Sequence, residues 1–512
     1  MAKVLPLLLF ALSAAGCSAL IDDLDRLDGV ALTAEYAIPV IDSEVTLADL
    51  IVGVDDRFVL TVDPDGLLRF QYSDTVPSVT SESIFSDLRD LGRGVPLPVT
   101  ARETTLDFPL PNDASIRRAR LKAGRLVYLL PNPYEQPVTV TLTLPNLLRD
   151  GEPFTVTGTL PARAGSGAVT LANTDAPIDL DGYELAFADN QFEIRYAIDA
   201  ADGTPLDPGD GTIVLLTDLD FSYVEGFFGR LPYPGVDGRL AIDFFTNYLS
   251  GDVTFVDPRV VVEVRNSVGV PARAVVDELN VEQEDGTRIP VEGEVADDGF
   301  TFNYPREPGG NAYTTYIIDK SNSNLPELLD ARPIALNYRI SALINPDDDR
   351  TVAGFLADTN SYSATVTAEL PLYGAASDFT TSDSIPVNLA GGSGSVTAAT
   401  FRIVTNSELP LDVAIAGTFV DSLGVAVAEL TEGEVLVVAA SPTDANGDPT
   451  GSVRQTNEVF LPAERLTRIR EARYLVLNTT FETLEGGARP VRLTADQLLR
   501  VRIGALLTIS QP

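Results

Sequence analysis

Histidine and tryptophan are missing from the 512 residues of this chain, and cysteine occurs once, at Cys17. Without histidine the chain cannot build a Ser-His-Asp triad, a Cys-His pair or a histidine-ligated metal site. A single cysteine allows no disulfide within the chain and no multi-thiolate metal centre. No Gly-Lys dipeptide occurs, so a phosphate-binding P-loop is excluded as well. Carboxylates are the side chains that remain for catalysis.

Lysine is scarce, since it occurs only at Lys3, Lys122 and Lys320, whereas the chain has 74 acidic residues and a formal net charge of -38. A surface this negative repels nucleic-acid phosphates and anionic lipid head groups, so we expect no nucleic-acid partner. An acidic excess with little lysine resembles halophilic proteins, whose carboxylates repel one another until molar salt screens them. The alternative explanation is a GC-rich genome that favours arginine codons.

The N-terminus has the pattern of an exported protein. Lys3 supplies a positive charge, residues 4–12 form an apolar run too short to span a bilayer, and residues 13–16 are small. Cys17 follows directly. This pattern resembles a bacterial lipoprotein signal, in which the cysteine is acylated and becomes the mature N-terminus, although Ala14 stands where that family usually has leucine. A plain secretory signal cut near the same place is the alternative.

The resemblance to lipoproteins also implies a destination. Ser18 follows the cysteine, whereas an aspartate at this position is the usual signal for retention in the inner membrane. We therefore expect a lipid-anchored protein of the outer membrane, with the membrane as its partner through the lipid on Cys17. Residues 21–25 are acidic and fit a tether. The periplasmic and the surface face both stay open.

Alternation of apolar and polar residues, which is the period of a half-buried strand, recurs along the rest of the chain. Residues 138–144 alternate aliphatic side chains with threonine, and residues 362–370 follow a similar pattern. The turn sequence at residues 63–66 predicts a hairpin. Helical spacing is confined to short stretches such as residues 240–249 and 462–474. We predict an all-β fold of tandem β-sandwich-like domains with a few short helices.

Three segments share an apolar strand, an asparagine, a proline four or five residues later and a second apolar strand. They are residues 125–144 around Asn132 and Pro137, residues 260–276 around Asn266 and Pro271, and residues 401–420 around Asn406 and Pro410. Asparagine tolerates a left-handed backbone and proline fixes φ, so each pair predicts a turn between strands. The pattern indicates a duplicated domain; coincidence in a proline-rich β protein is the alternative.

These patterns divide the chain into six parts. They are a lipoprotein signal peptide at residues 1–16, an acidic tether at 17–30, an N-terminal β unit at 31–115, and β-sandwich-like domains at 116–235, 236–375 and 376–512. Several of their strand starts and turns, at residues 35–43, 226–229, 257–260 and 266–271, resemble uncharacterised outer-membrane lipoproteins of Gram-negative bacteria. That family has no established activity, so the resemblance implies a location and no functional residues.

Calcium is the one ligand for which the sequence offers candidate side chains. Asp444, Asn446 and Asp448 place three oxygen-bearing side chains at alternate positions, as an oxygen-seeking cation prefers. The loop departs from an EF-hand, because Pro449 stands at the glycine position and Gln455 at the closing glutamate position. Turn formation in a very acidic protein is the alternative reading of the same residues. We predict no other cofactor and no catalytic residues.

The expected function is non-catalytic: a lipid-anchored envelope protein with a structural, adhesive or binding role. Two alternatives remain, a carrier that holds an apolar ligand in a β-lined cavity and a carboxylate-based glycoside hydrolase. The hydrolase needs two acids about 5 Å apart for retention or about 6.5–9.5 Å apart for inversion. The lack of tryptophan argues against it, since sugar rings usually stack on large aromatic faces. The sequence does not identify a protein or glycan partner.

Overall fold

The computed structural model describes residues 33–51, 59–81, 85, 89, 94–99, 101–108, 110, 114–163, 169–208, 211–245, 247–387 and 396–510. Most of these residues lie in β-strands, which confirms the predicted all-β class. The helices are short. Those with bounds in the described ranges are α1 (Leu47–Ile51), α2 (Glu294–Asp298), α3 (Leu325–Leu329), α4 (Ala463–Arg468) and a 3-10 helix (Ile469–Glu471).

The strands form an N-terminal group and three successive modules. The N-terminal group is β1 (Thr33–Thr46), β2 (Val59–Val62), β3 (Leu68–Thr80), β4 (Val95–Pro98) and β5 (Glu103–Asp107). Module 1 is β6 (Ser115–Asn132), β7 (Val138–Arg149), β8 (Glu152–Leu160), β9 (Val169–Ala172), β10 (Ile178–Asp179), β11 (Glu184–Ala186), β12 (Gln191–Ala200), β13 (Pro205–Leu206) and β14 (Ile213–Phe227). Module 2 is β15 (Leu231–Ala241), β16 (Tyr248–Phe255), β17 (Arg259–Asn266), β18 (Ala272–Glu282), β19 (Arg288–Pro290), β20 (Phe300–Phe302), β21 (Ala312–Ile318), β22 (Ala335–Ile344), β23 (Gly354–Ala357) and β24 (Ser361–Pro371). Module 3 is β25 (Tyr373–Pro386), β26 (Val396–Ser407), β27 (Leu411–Val420), β28 (Ala426–Glu429), β29 (Val435–Val438), β30 (Val453–Pro462), β31 (Tyr474–Thr483), β32 (Val491–Arg492) and β33 (Leu498–Ser510).

The three modules share one order of antiparallel strand pairing. In module 2, β17 pairs with β21 and β24, while β18 pairs with β19 and β22. In module 3, β26 pairs with β30 and β33, while β27 pairs with β28 and β31. In module 1, β6 pairs with β9 and β14, while β7 pairs with β8 and β12. Each module therefore has two groups of paired strands in the same connection order, and in module 1 β11 pairs with both β6 and β7 and joins the two groups into one sheet. The predicted tandem β-sandwich-like fold is confirmed.

Strand β7 shows why these sequences form two-faced sheets. Val140, Leu142 and Leu144 are fully buried, whereas the threonines between them are only partly buried. Thr141 and Thr143 lie opposite threonines of β8, with Oγ1–Oγ1 distances of 3.1 and 3.3 Å. Because side chains alternate across a strand, the aliphatic set enters the core and the hydroxyl set covers the outer face.

The first four strands, which we call the N-terminal arm, run along the modules in reverse order. Strand β1 pairs with β33 of module 3, β3 pairs with β24 of module 2, and β4 pairs with β14 of module 1. The chain then returns through modules 1, 2 and 3 in sequence. Strands from the predicted N-terminal unit at residues 31–115 thus contribute edges to all three modules. The exact domain boundaries stay predictions.

Module 2 contacts both of its neighbours. Its β23 pairs with β14 of module 1, and Asp358 accepts a hydrogen bond from Lys122 at 3.0 Å. On the other side, β16 pairs with β25 of module 3. Arg492 of module 3 also bonds to Asp65 in the turn between β2 and β3. The described strands thus connect the modules in the order 1, 2, 3.

A buried asparagine closes the turn between β6 and β7 of module 1 and the turn between β17 and β18 of module 2. Asn132 ends β6, and its Oδ1 accepts the backbone N–H of Tyr134 at 2.9 Å. Asn266 ends β17, and its Oδ1 accepts the N–H of Val268 at 2.8 Å. In both asparagines the Nδ2 donates to a backbone carbonyl. The shared bonding supports the duplication that the sequence pattern indicates.

Module 3 makes the same closure one residue later than the sequence pattern suggests. Asn406 is exposed, whereas Ser407 is fully buried and ends β26. The Oγ of Ser407 accepts the N–H of Leu409 at 3.0 Å. A shift of one residue moves a side chain to the other face of a strand, so Asn406 cannot reach this turn. The turn predicted for Asn406 and Pro410 is present between β26 and β27, but Ser407 closes it in place of Asn406.

Two local predictions have opposite outcomes. The turn at residues 63–66 closes the predicted hairpin, with Gly66 at φ +87° donating to the Asp63 carbonyl at 2.9 Å. The helix predicted at residues 240–249 is wrong, because Leu240 belongs to β15 and pairs with β22, and Tyr248 begins β16. Strand pairing and the packing of Phe244 against Phe255 at 5.3 Å outweigh the helical spacing.

Candidate functional site

The predicted lipidation site, Cys17, lies outside the described residues, as does the acidic tether. The first described residue, Thr33, follows the cysteine by sixteen residues and begins β1. Within the described ranges, every helix is too short or too polar to cross a bilayer.

The predicted calcium loop is a hydrogen-bonded turn. The Oδ1 of Asp444 accepts the backbone N–H of Asn446 at 2.8 Å and that of Asp448 at 3.1 Å. Gly447, at φ +89°, supplies the left-handed residue that this turn requires. An aspartate that accepts its own backbone two residues on forms an Asx turn, so one predicted ligand oxygen already has partners.

The third predicted ligand, Asp448, lies beside an arginine of module 3 that also binds the N-terminal arm. The Oδ2 of Asp448 lies 3.5 Å from Nη1 of Arg492, while Nη2 of the same guanidinium bonds to Asp65. The Leu67 amide and Arg492 hold the pKa of Asp65 below its ordinary value. Among the described residues no group of three or more acidic, histidine or cysteine side chains is arranged to hold a metal. Calcium at Asp444, Asn446 and Asp448 stays a prediction.

A carboxyl group that the sequence does not single out lies on the sheet of module 3. Glu482 of β31 stands opposite Asp412 of β27 and hydrogen-bonds to Asp378 of β25. Burial and these neighbouring carboxylates raise its pKa. Two carboxyl groups in hydrogen-bond contact can share one proton.

A small apolar cavity lies where modules 2 and 3 meet. Phe244 and Phe255 of module 2 line it together with Phe379 and Phe481 of module 3, and its volume is about 70 Å³. Small-molecule pockets usually measure about 300–1,000 Å³, and a benzene-sized cavity about 150 Å³. This cavity is too small for an acyl chain and gives no support to the carrier hypothesis.

A buried ion cluster fixes the arm strand β3 to module 2. The Arg69 side chain is 7% exposed and that of Glu369 is 8% exposed, with Nη1 and Oε2 separated by 3.5 Å. Arg69 also bonds to Asp63 at 2.7 Å, and Glu369 accepts hydrogen bonds from Gln71 and Arg259. Buried charges persist in proteins when each has an opposite partner, as here. The ion pairs therefore explain why these charges are buried, and the cluster has a structural role.

The comparisons with known proteins give no match in sequence, and the three structural matches described below are distant. No protein-family model matches the chain, and no curated protein is similar to it in sequence. A crystal structure from Parabacteroides distasonis, whose name calls it a "putative secreted protein", shares 11% identity over 92% of this chain and 99% of that chain, with a TM-score of 0.25. The infectious bursal disease virus structure (Gt strain) shares 10% identity over 90% of this chain and 84% of that chain, with a TM-score of 0.12. The mavirus penton protein shares 8% identity over 54% of this chain and 99% of that chain, with a TM-score of 0.10. At such low similarity, none of the three carries an argument about the activity of this chain.

Proposed function

We propose that this chain is a lipid-anchored protein of the bacterial cell envelope, held in the outer membrane by acyl groups on Cys17. Its role is structural, adhesive or binding, and it is not an enzyme. The observation that carries the proposal is the position of the only cysteine, directly after an apolar run of signal-peptide length and four small residues. Ser18 in place of aspartate supports the outer membrane as the destination.

The chain topology fits an anchor at one end of the molecule. Thr33 follows Cys17 by sixteen residues. An extended segment of that length reaches at most about 55 Å. Because β1 pairs with β33, the anchor would join module 3, and modules 2 and 1 would follow in that order away from the attachment point. This arrangement suits a protein that presents modules 2 and 1, which are far from the membrane, to a partner.

The absence of histidine, of a second thiol and of a P-loop supports a non-catalytic role. Histidine, thiol and P-loop chemistry are excluded by the composition of the whole chain. The buried charged pair Arg69–Glu369 has neutralising partners.

Metabolic labelling with a radioactive fatty acid tests the anchor. We expect label in the wild-type chain and none in Cys17→Ser, which should also leave the membrane fraction after export. Ser18→Asp is the matched control for destination: it should keep the label but move the protein to the inner-membrane fraction. Equal labelling of the wild type and Cys17→Ser would refute the anchor.

A further inference from the structure

Strand register locates the end of module 3 from which the N-terminal segment emerges. Glu35 of β1 pairs with Thr508, Thr508 pairs with Ala398, and Ala398 pairs with Pro462 at the end of β30. Neighbouring strands are about 4.8 Å apart, so three steps place the start of α4 about 15 Å from the start of β1. We call this region, with α4 and the loop at residues 421–425, the tether end of module 3.

The tether end carries exposed large apolar side chains. Leu423 is 85% exposed and Val425 58% exposed, both in the loop between β27 and β28. Phe460, near the end of β30, is 54% exposed, and Tyr474, at the start of β31, is 43% exposed. Helix α4 contacts β26, β28 and β30, which brings the loop and the strand ends to one end of the module. Exposed apolar side chains grouped in this way mark a contact surface.

The segment between β30 and β31 places arginines at the same end of the module. They are Arg465, Arg468, Arg470 and Arg473. Glu464 and Glu471 of the segment, Asp421 of the loop and Glu432, which lies 3.0 Å from Arg465, balance their charge, so this end is near neutral in a chain of net charge -38. The Arg468 side chain is 60% exposed, and its Nη1 lies 3.9 Å from Glu464. Arg473 is exposed as well.

We propose that the tether end of module 3 lies against a lipid bilayer, with Leu423 and Val425 in the interfacial zone and Arg468 and Arg473 near the lipid phosphates. Apolar side chains beside arginines are the combination that binds a membrane surface. Membrane anchoring by lipid commonly uses a second contact on the protein, and this end is the one to which the anchor would be joined. The inference rests on the proposed anchor for its orientation only.

The charges of the protein determine which lipid composition favours this contact. The net charge of -38 opposes a strongly anionic bilayer, whereas the exposed Arg468 and Arg473 favour a few phosphates close by. A mostly zwitterionic bilayer with a minority of anionic lipid satisfies both conditions. The vesicles for the test therefore contain mainly phosphatidylethanolamine with some phosphatidylglycerol.

The lack of native tryptophan gives a direct test that needs no lipid on the protein. Residues 18–512 carrying Leu423→Trp contain one tryptophan, and we expect its emission to shift to shorter wavelength with vesicles and to be quenched by brominated acyl chains. The matched control is Tyr313→Trp, which replaces a side chain 68% exposed on β21 of module 2. Its emission should not change. No shift at Leu423, or equal shifts at both positions, would overturn the proposal.

Vesicle sedimentation with a second set of variants separates the contribution of the apolar loop from that of the arginines. Leu423→Ser with Val425→Ser should lower the partition constant by about tenfold or more, because their apolar surface no longer leaves water. Arg468→Gln with Arg473→Gln should weaken binding only when phosphatidylglycerol is present. Wild-type binding by the serine variant, or self-association through this loop without vesicle binding, would contradict the proposal. Fatty-acid labelling of Cys17 tests the anchor separately, so each idea can fail alone.

Discussion

Asn132 and Asn266 make equivalent hydrogen bonds at equivalent points of two modules. Asn132 ends β6 and Asn266 ends β17, and each accepts the backbone N–H two residues on and donates to a carbonyl from another segment. Both side chains are at most 1% exposed. A buried amide with all these partners determines where β6 or β17 ends and where the next strand, β7 or β18, begins.

Replacing Asn266 by alanine should destabilise module 2. The change leaves the Val268 N–H and the Asn303 carbonyl without their partner in a buried site, which typically costs about 1–3 kcal/mol. Urea denaturation followed by circular dichroism measures the loss. Asn406→Ala is the matched control, since that side chain is exposed, and its effect should stay within about 0.5 kcal/mol. Equal losses for the two variants would contradict the role given to Asn266.

Sequence reasoning finds the features that local pattern determines. The alternation at residues 138–144 and the turn at 63–66 predict β7 and the β2–β3 hairpin, because face and turn type depend on neighbouring residues. The reverse order of the N-terminal arm is beyond such reasoning, since Thr46 pairs with Leu498 across nearly the whole chain. Leu240 shows that a local pattern can also predict the wrong element, because pairing with β22 overrides its helical spacing.

The candidate sites also divide into those that a local sequence pattern identifies and those that depend on distant strands. Cys17 can be named from sequence because an export signal is read as a linear pattern. The raised pKa of Glu482 cannot, since its neighbours Asp378 and Asp412 come from two other strands. The turn at Asp444 has an ambiguous pattern, because the residue types that bind calcium are also those that cap turns.

Glu482 should make the protein less stable as pH rises through the weakly acidic range. Its pKa in the folded state is raised, first by burial and then by Asp378 and Asp412, so the folded chain holds this proton more tightly than the unfolded chain. The resulting penalty is absent at pH values below the unfolded pKa of about 4.3, grows as pH rises above that value, and remains in full above the folded pKa. Glu482→Gln removes the ionisation and should therefore raise the unfolding temperature modestly at neutral pH.

The pH dependence distinguishes this effect from a general change in packing. The difference between Glu482→Gln and the wild type should shrink towards zero as the pH is lowered to about 4. Scanning calorimetry over a series of buffers measures it. Glu152→Gln, an exposed residue at the start of β8, should show no such trend. A constant difference at all pH values would show that repulsion between carboxylates is not the cause.

High salt should stabilise the chain. The charge of -38 produces repulsion among surface carboxylates, and molar salt shortens the screening length to about 3 Å. We expect the urea midpoint to rise from low salt to molar potassium chloride. Potassium chloride and sodium chloride should act alike if screening is the mechanism. An unchanged midpoint would exclude salt adaptation.

Removal of β1 should weaken module 3 and leave module 1 intact. Strand β1 is the edge partner of β33, and Asp42 bonds to Arg500 and Arg502 at 3.2 Å. A chain that starts after Thr46 lacks these contacts and exposes a long strand edge, which also invites association between copies. Hydrogen exchange followed by mass spectrometry should show faster exchange in β33, while β14 of module 1 keeps its protection. The matched control starts at Thr33 and retains β1, so unchanged exchange of β33 in the shorter chain would show that the arm is dispensable for this module.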